Sequence, residues 1–150
     1  MAELGQRALS GAPLDELIAE AAACAGRELG TDFASVLELT GDGLGLLVRA
    51  GYGLPEGVVG GVIDTRRDQL PGYALDHAGP VVVEDFATET RFDPTPVQRE
   101  LGVVSALAVQ IRAAGRQVGG IAVHSRTRQG FSAEDGHFLQ ALANVIGAAI

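Results

Sequence analysis

Residues 103–126, VVSALAVQIRAAGRQVGGIAVHSR, decide the fold of this chain. Two runs of β-branched and small apolar residues, Val103–Arg112 and Gln117–Arg126, are predicted as strands. The four residues between them, AAGR, include a glycine and are typical of a tight turn. Because strands joined by a tight turn run antiparallel, the sequence predicts a β-hairpin within an antiparallel sheet.

The two faces of this hairpin carry different side chains. Successive residues of a strand point to opposite faces, and one face holds the bulky apolar residues Leu107, Val109, Ile111, Ile121 and Val123. The other, the small-residue face, holds Ala106, Ala108, Gln110, Gly120, Ala122 and His124. A sheet face under helices needs large interdigitating side chains. We therefore expect helices on the bulky face.

Two interpretations are open for the small-residue face. In the first, a ligand cavity lies above it, where small residues leave volume and Gln110 and His124 offer directed hydrogen bonds. In the second, short helices and loops approach the alanines closely and fill the space. The pattern by itself is compatible with both.

Helical patterns flank the sheet at both ends of the chain. Pro13 and a stripe of apolar residues at helical spacing predict a first helix that ends at Gly30. Ser132, with the acidic Asp135 three residues later, predicts the start of the last helix. We expect both helices to cover the same face of the sheet.

These helices also set the expected domain boundaries. Residues 1–12 are predicted to be a linker or the end of a preceding helix, and residues 13–150 to form the domain. The last helix stops at the apolar residue Ile150 without a capping residue. We therefore expect it to continue beyond Ile150 in a longer protein.

The middle of the chain adds shorter elements. An Asp-Gly pair at residues 42–43 predicts a second hairpin, and glycine and proline punctuate the rest. The predicted strands are Phe33–Leu39, Leu44–Ala50, Val62–Thr65 and Val81–Glu84, and the predicted short helices are Leu70–Ala78 and Val97–Leu101. The fold class is therefore α+β, with a central antiparallel sheet of about five or six strands.

Composition excludes several chemistries. All eleven basic residues are arginine, which excludes a P-loop and Schiff-base catalysis by lysine. Cys24 is the only cysteine, so the chain forms no internal disulfide and no zinc–thiolate cluster. A net charge of −8 disfavours nucleic acid and anionic membrane surfaces as partners. The lone cysteine and the absence of a signal sequence in these residues predict a cytoplasmic protein.

Several segments in a fixed order resemble the GAF domain. They are Pro71-Gly72-Tyr73, residues 81–85 (VVVED), Arg91-Phe92, residues 105–111 (SALAVQI), residues 119–125 (GGIAVHS) and residues 131–135 (FSAED). The resemblance extends from about Pro13 to the end of the chain. It implies terminal helices on one face of the sheet, and short helices and loops that enclose a small-molecule pocket on the other.

The resemblance also implies a regulatory role. GAF domains commonly stand beside an output module such as a histidine kinase, diguanylate cyclase or phosphatase in bacterial signalling proteins. Their terminal helices usually form a parallel homodimer and continue as signalling helices, which implies a preceding signalling helix at residues 1–12 and an output module after the last helix. The expected function is a non-catalytic sensor that binds an unidentified small molecule. An alternative is a ligand-free dimerisation and relay module, whose contact surface would be the small residues Ala141, Asn144, Gly147 and Ala148 of the last helix.

Known ligand classes of the family can be compared with these residues. Covalent bilin attachment is disfavoured, because residues 95–105 hold no cysteine and Cys24 lies on the first helix. Cyclic-nucleotide binding is disfavoured because the chain has no lysine. Reduction of free methionine sulfoxide is disfavoured because it needs several pocket cysteines and the chain has one. Haem stays open as a less favoured cofactor, because His77 or His124 could act as an axial ligand.

The candidate ligand-binding residues combine both lines of reasoning. Tyr73 and Phe92 are expected as aromatic walls or as part of a satellite core. Arg91 either binds an anionic ligand or pairs with Asp85 or Asp93. The full set is Tyr73, Phe86, Arg91, Phe92, Ala106, Ala108, Gln110, Ala122 and His124. No metal-binding residue is predicted. No catalytic residue is predicted either, because the adjacent residues His124 and Ser125 point to opposite faces of one strand, as do Glu84 and Asp85.

Overall fold

A computed structural model of the chain describes residues 2–150; Met1 lies outside the described residues. The helices are α1 (Ala2–Leu9), α2 (Leu14–Leu29), α3 (Leu70–Leu75), α4 (Pro96–Leu101) and α5 (Ala133–Ala149). The strands are β1 (Phe33–Leu39), β2 (Gly45–Tyr52), β3 (Val62–Asp64), β4 (Val81–Val83), β5 (Ser105–Ala113) and β6 (Arg116–Ser125). Each predicted element is present, with ends shifted by no more than three residues.

The six strands form one antiparallel sheet in the order β3-β2-β1-β6-β5-β4. The first hairpin, β1–β2, and the last, β5–β6, meet where β1 pairs with β6, and Val36 there lies opposite Ile121. This long-range pairing places residues from both ends of the chain side by side at the centre of the sheet. The predicted α+β class with an antiparallel sheet is confirmed.

The main core lies between the sheet and the helices α2 and α5. The bulky side chains of β5 and β6 pack there against buried residues of both helices, such as Leu17 and Leu142. The expectation that the terminal helices cover the bulky face is therefore confirmed. Residues 2–9, within the predicted linker, form α1, and its Leu4 is 4% exposed and belongs to this core.

Local sequence signals explain where the longer helices begin and end. Gly30 ends α2 with φ of 65°, in the left-handed conformation that favours glycine. Ser132 and Asp135 form the predicted capping box of α5, in which each side chain bonds to the other residue's backbone N–H. In residues 2–150 no helix combines the length and the apolar character that crossing a membrane requires.

Candidate functional site

A cavity of about 80 Å³ lies on the sheet face opposite α2 and α5. Its floor is formed by β1, β2, β5 and β6, and its cover by α3, α4 and the loop after β2. The walls are mostly apolar. The floor includes Phe33, Ser35, Leu37, Leu46, Val48, Ala108, Gln110, Ala122 and His124, and the cover includes Leu54, Val58, Leu70, Ala74, Leu75, Thr95, Val97, Gln98 and Leu101.

The small-residue face is divided between this cavity and close packing. Ala108 and Ala122 line the cavity. Ala106 does not; it is fully buried in a second cluster with Val83 and Phe92, and this cluster also includes Ala108 and Ala122. Close packing therefore covers Ala106, whereas Ala108 and Ala122 pack in the cluster and also border the cavity.

His124 connects the floor of the cavity to α4. Its Nε2 lies 3.2 Å from Nε2 of Gln98, whose Oε1 accepts a hydrogen bond of 2.8 Å from the backbone N–H of Thr95. The Gln98 amide nitrogen can only donate, so His124 Nε2 accepts. Burial lowers the pKa of His124 to about 4. The ring is therefore neutral near pH 7, with its proton on Nδ1.

Two glutamine side chains tie α3 to the sheet. Gln110 on β5 donates a hydrogen bond of 2.6 Å to the carbonyl oxygen of His77, just after α3. Gln117 on β6 donates one of 3.1 Å to the carbonyl oxygen of Leu75. The sequence offered the Gln110 amide as a ligand donor, and the structure shows this N–H bonded to the cover of the cavity instead.

The predicted aromatic walls lie outside the cavity. Tyr73 and Phe92 have ring centroids 5.0 Å apart, and Phe86 and Phe92 have centroids 6.3 Å apart. These rings pack on the second cluster, beside Ala106, and none of the three lines the cavity. This placement matches the satellite-core interpretation rather than the aromatic-wall interpretation.

Arg91 is also bound to the protein rather than open to the cavity. Its Nη2 donates to Oε1 of Glu89 at 2.7 Å and to the carbonyl oxygen of Val82 at 2.6 Å. The expected pairing with Asp85 or Asp93 is corrected to Glu89. The Arg91 guanidinium, by hydrogen bonding, lowers the pKa of Glu89 to about 2. Arg91 therefore pins the loop after β4 against the aromatic cluster.

The remaining chemistry-bearing residues lie away from the cavity. The ring of His77 stacks on Tyr73, with centroids 5.6 Å apart. Cys24 is partly buried and packs on the main core, across the sheet from the cavity. A cavity of this volume cannot hold a porphyrin, and the described residues contain no group of three metal-ligating side chains. The geometry therefore does not favour haem.

Sequence analysis missed the polar residues that complete the site. Thr95 and Gln98 form a capping box at the start of α4, and the pattern of a threonine with a glutamine three residues later could have revealed it. Ser35 could not be recognised, because only the pairing of β1 with β6 places it opposite Ala122.

Paired substitutions test where the cavity lies. Ala122→Val adds two methyl groups into open volume, so we expect its free energy of unfolding to stay within about 1 kcal/mol of wild type. Ala106→Val adds them to a closed cluster and should lower that free energy by about 1–3 kcal/mol. Urea denaturation of both variants measures the difference. Equal losses would contradict the assignment of the cavity to Ala122.

Comparisons with known proteins agree with this arrangement. The sequence model of the GAF domain family matches residues 11–150. The GAF domain of a phosphoenolpyruvate-protein phosphotransferase from Acinetobacter has a TM-score of 0.83 at 19% identity, and the match covers 99% of this chain and 88% of that one. Among functionally curated proteins, no sequence matches.

Two further solved structures show how varied the relatives of this fold are. A free methionine-R-sulfoxide reductase from Neisseria meningitidis, solved with its substrate, has a TM-score of 0.82 at 17% identity, covering 99% of this chain and 84% of that one. A phycoerythrobilin-bound GAF domain from a cyanobacterial phytochrome has a TM-score of 0.79 at 17% identity, covering 99% and 90%. At these identities the likeness shows the fold alone.

Proposed function

Because the chain belongs to the GAF domain family, we propose that it is a regulatory sensor domain of a bacterial signalling protein that binds a small molecule in the cavity above β5 and β6. One observation carries this proposal: an apolar cavity lies above the small residues Ala108 and Ala122 at the middle of the sheet, where larger side chains would fill it. GAF domains are typically regulatory modules of signalling proteins, which supports a sensor role.

The strands offer a direct path from the cavity to the terminal helices. Ala122 lines the cavity, while its neighbours Ile121 and Val123 point to the opposite face and pack in the main core with α2 and α5. Because packed interiors transmit small displacements, a ligand that shifts β6 also shifts the packing under both helices. We propose that this shift biases the helices toward one of two arrangements and so controls an attached output module.

We propose that the domain is not catalytic. The ring lone pair of His124 is used by Gln98, so this imidazole has no free base toward the cavity. The hydroxyl of the adjacent Ser125 donates to Gln129 at 3.0 Å, away from the cavity. Thiol chemistry of the kind that sulfoxide reduction uses is not supplied at the cavity by Cys24, which lies across the sheet.

A thermal-shift screen with metabolites and nucleotides tests the sensor function. A true ligand is expected to raise Tm of the wild type, because a ligand that binds only the folded state stabilises it. The variant Ala122→Leu, which fills the cavity, should lose this response. The same enlargement at the exposed Ala87 of the loop after β4, Ala87→Leu, is the matched control and should keep it.

Hydrogen exchange with and without the ligand found by this screen then tests the relay. Slower exchange in α2 and α5 as well as around the cavity is expected, because the displacement of β6 reaches both helices. If no compound raises Tm of the wild type more than that of Ala122→Leu, the sensor proposal fails.

The exposed surface of α5 favours dimerisation as a second candidate function, independent of a ligand. His137, Ala141, Asn144 and Ala148 form a stripe at spacings of four, three and four residues, which suits contact with another helix. Gly147, assigned to this surface from the sequence, is buried and faces β5 instead. A dimer that forms in light scattering without any ligand, and is lost in Ala148→Glu, would support the relay module.

A further inference from the structure

We propose that the ligand of this cavity is a small, uncharged and largely apolar molecule whose hydrogen-bond acceptor is held by Nδ1–H of His124. The proposal rests on the sensor function above and specifies its ligand class. The absence of charge in the walls, the two polar groups that the fold leaves unpaired, and the cavity volume support it.

The walls contain no charged side chain. None of the eleven arginines and none of the nineteen acidic residues lines the cavity; its polar side chains are Ser35, Thr95, Gln98, Gln110 and His124. Moving an ion into such an environment without a partner is unfavourable by several kcal/mol. Arg91, the residue that sequence reasoning offered for an anion, is bound to Glu89 outside the cavity. The site therefore selects against carboxylates, phosphates and amines.

Most of the polar atoms in the walls already have partners. Gln98 bonds to His124 and to Thr95, and Gln110 bonds to the carbonyl oxygen of His77. The Ser35 hydroxyl and the His124 Nδ1–H have no hydrogen-bond partner within residues 2–150. No side-chain nitrogen or oxygen described there is sealed off without a partner. These two groups therefore keep some accessible surface, and both residues line the cavity.

The register of the sheet places these two groups close together. Ser35 on β1 lies opposite Ala122, and His124 is the next residue of β6 on the same face. Such diagonal neighbours lie roughly 7 Å apart. One molecule can therefore accept a hydrogen bond from the imidazole while a second polar atom meets the hydroxyl.

The volume limits the size of the ligand. About 80 Å³ is roughly half the ~150 Å³ of an engineered apolar cavity that holds benzene. A ligand of a few heavy atoms fits without movement of the cover. A larger ligand must displace part of the cover, and the hydrogen bonds from Gln110 and Gln117 oppose movement of α3.

Two probes of nearly identical shape test the charge selectivity. Isobutyramide is neutral and carries a carbonyl acceptor, whereas isobutyrate is its anionic counterpart at pH 7. Each is titrated into ¹⁵N-labelled protein, and the amide resonances of Ala108, Ala122 and His124 are followed. We expect isobutyramide to shift these resonances and to bind at least about tenfold more tightly than isobutyrate, because the anion loses its hydration without gaining a charged partner.

Variants test the role of His124 in holding the acceptor. His124→Phe removes the Nδ1–H donor and should weaken isobutyramide binding about fivefold, the effect of one neutral hydrogen bond. Ser35→Ala leaves the link between His124 and Gln98 intact; it should bind isobutyramide as tightly as wild type or weaken it by less than His124→Phe does. Ala87→Leu, at an exposed alanine of the loop after β4, is the control and should bind as wild type does.

The outcomes separate this proposal from the sensor function. Tighter or equal binding of isobutyrate in the cavity would overturn the ligand class and leave the sensor function standing. If neither probe shifts the cavity resonances up to its solubility limit, the ligand class is also overturned. The sensor function would then stand if a compound from the thermal-shift screen shifts these resonances. If no compound from the screen does so, both proposals fail.

Discussion

Replacing Gly147 with alanine is expected to lower the free energy of unfolding by about 2 kcal/mol or more. A Cβ at this position would overlap the backbone carbonyl of Arg112, where β5 changes register after Ile111. The backbone of α5 and the backbone of β5 meet here, and neither can move aside as a flexible side chain could. The added Cβ must therefore push α5 away from the sheet. The better helix propensity of alanine recovers at most about 1 kcal/mol of this loss.

The same substitution elsewhere in the chain is the control for this prediction. A Cβ at Gly5 in α1 would meet nothing within 4 Å, so Gly5→Ala should leave stability unchanged or raise it by up to about 1 kcal/mol. Urea denaturation measures both variants. A stability of Gly147→Ala equal to or above that of wild type would show that α5 does not sit this tightly on β5, and the proposed route from β5 and β6 to α5 would lose its basis.

Lowering the pH from 6.5 to 4 is expected to reduce the free energy of unfolding by about 3 kcal/mol, because of the titration of His124. Above pH 6.5 the imidazole is neutral in both the folded and the unfolded chain, and contributes no pH dependence. Burial lowers its pKa in the folded state from 6.5 to about 4. Between these values the unfolded chain binds a proton that the folded chain does not, so the free energy of unfolding falls as the pH falls. Below pH 4 both states are protonated and this loss ends.

Glu89 affects the free energy of unfolding in a lower pH range, so its contribution can be separated from that of His124. Its pKa is held at about 2 by Arg91, against an ordinary value of 4.5. Its contribution to stability is therefore present above pH 4.5 and is lost as the pH falls toward 2. Urea denaturation at a series of pH values, for wild type and His124→Gln, isolates the histidine. His124→Gln keeps an acceptor for Gln98 and should lack the slope between pH 6.5 and 4; an unchanged slope would show that His124 is not the responsible group.

Local patterns were sufficient for much of the fold. The alternation in residues 106–111 identified which face packs against helices, because side chains of a strand alternate regardless of what the strand pairs with. The Ser132 and Asp135 capping box marked the start of α5 because its hydrogen bonds are local. The alanines and His124 marked the small-residue face for the same reason, while the choice between a cavity and close packing above it stayed open.

The cover and the limits of the cavity depended on contacts between distant parts of the chain. Tyr73, Phe86 and Phe92 are equally suited by composition to a ligand or to each other, and only the position of the loop after β4 decides that they pack on one another outside the cavity. Gln110 was correctly placed on the small-residue face, but its partner, the carbonyl of His77, lies 33 residues earlier in the chain.

The sequence by itself therefore determined the antiparallel sheet, the face that packs on the helices and the face that can carry a ligand. Tertiary structure alone decided that Ser35 and His124 share one cavity, that Arg91 belongs to Glu89, and that the walls carry no charge. The physical reason is the range of the interactions. Periodicity and capping act within a few residues, whereas strand pairing and the approach of α3 and α4 join segments whose relative positions no local pattern encodes.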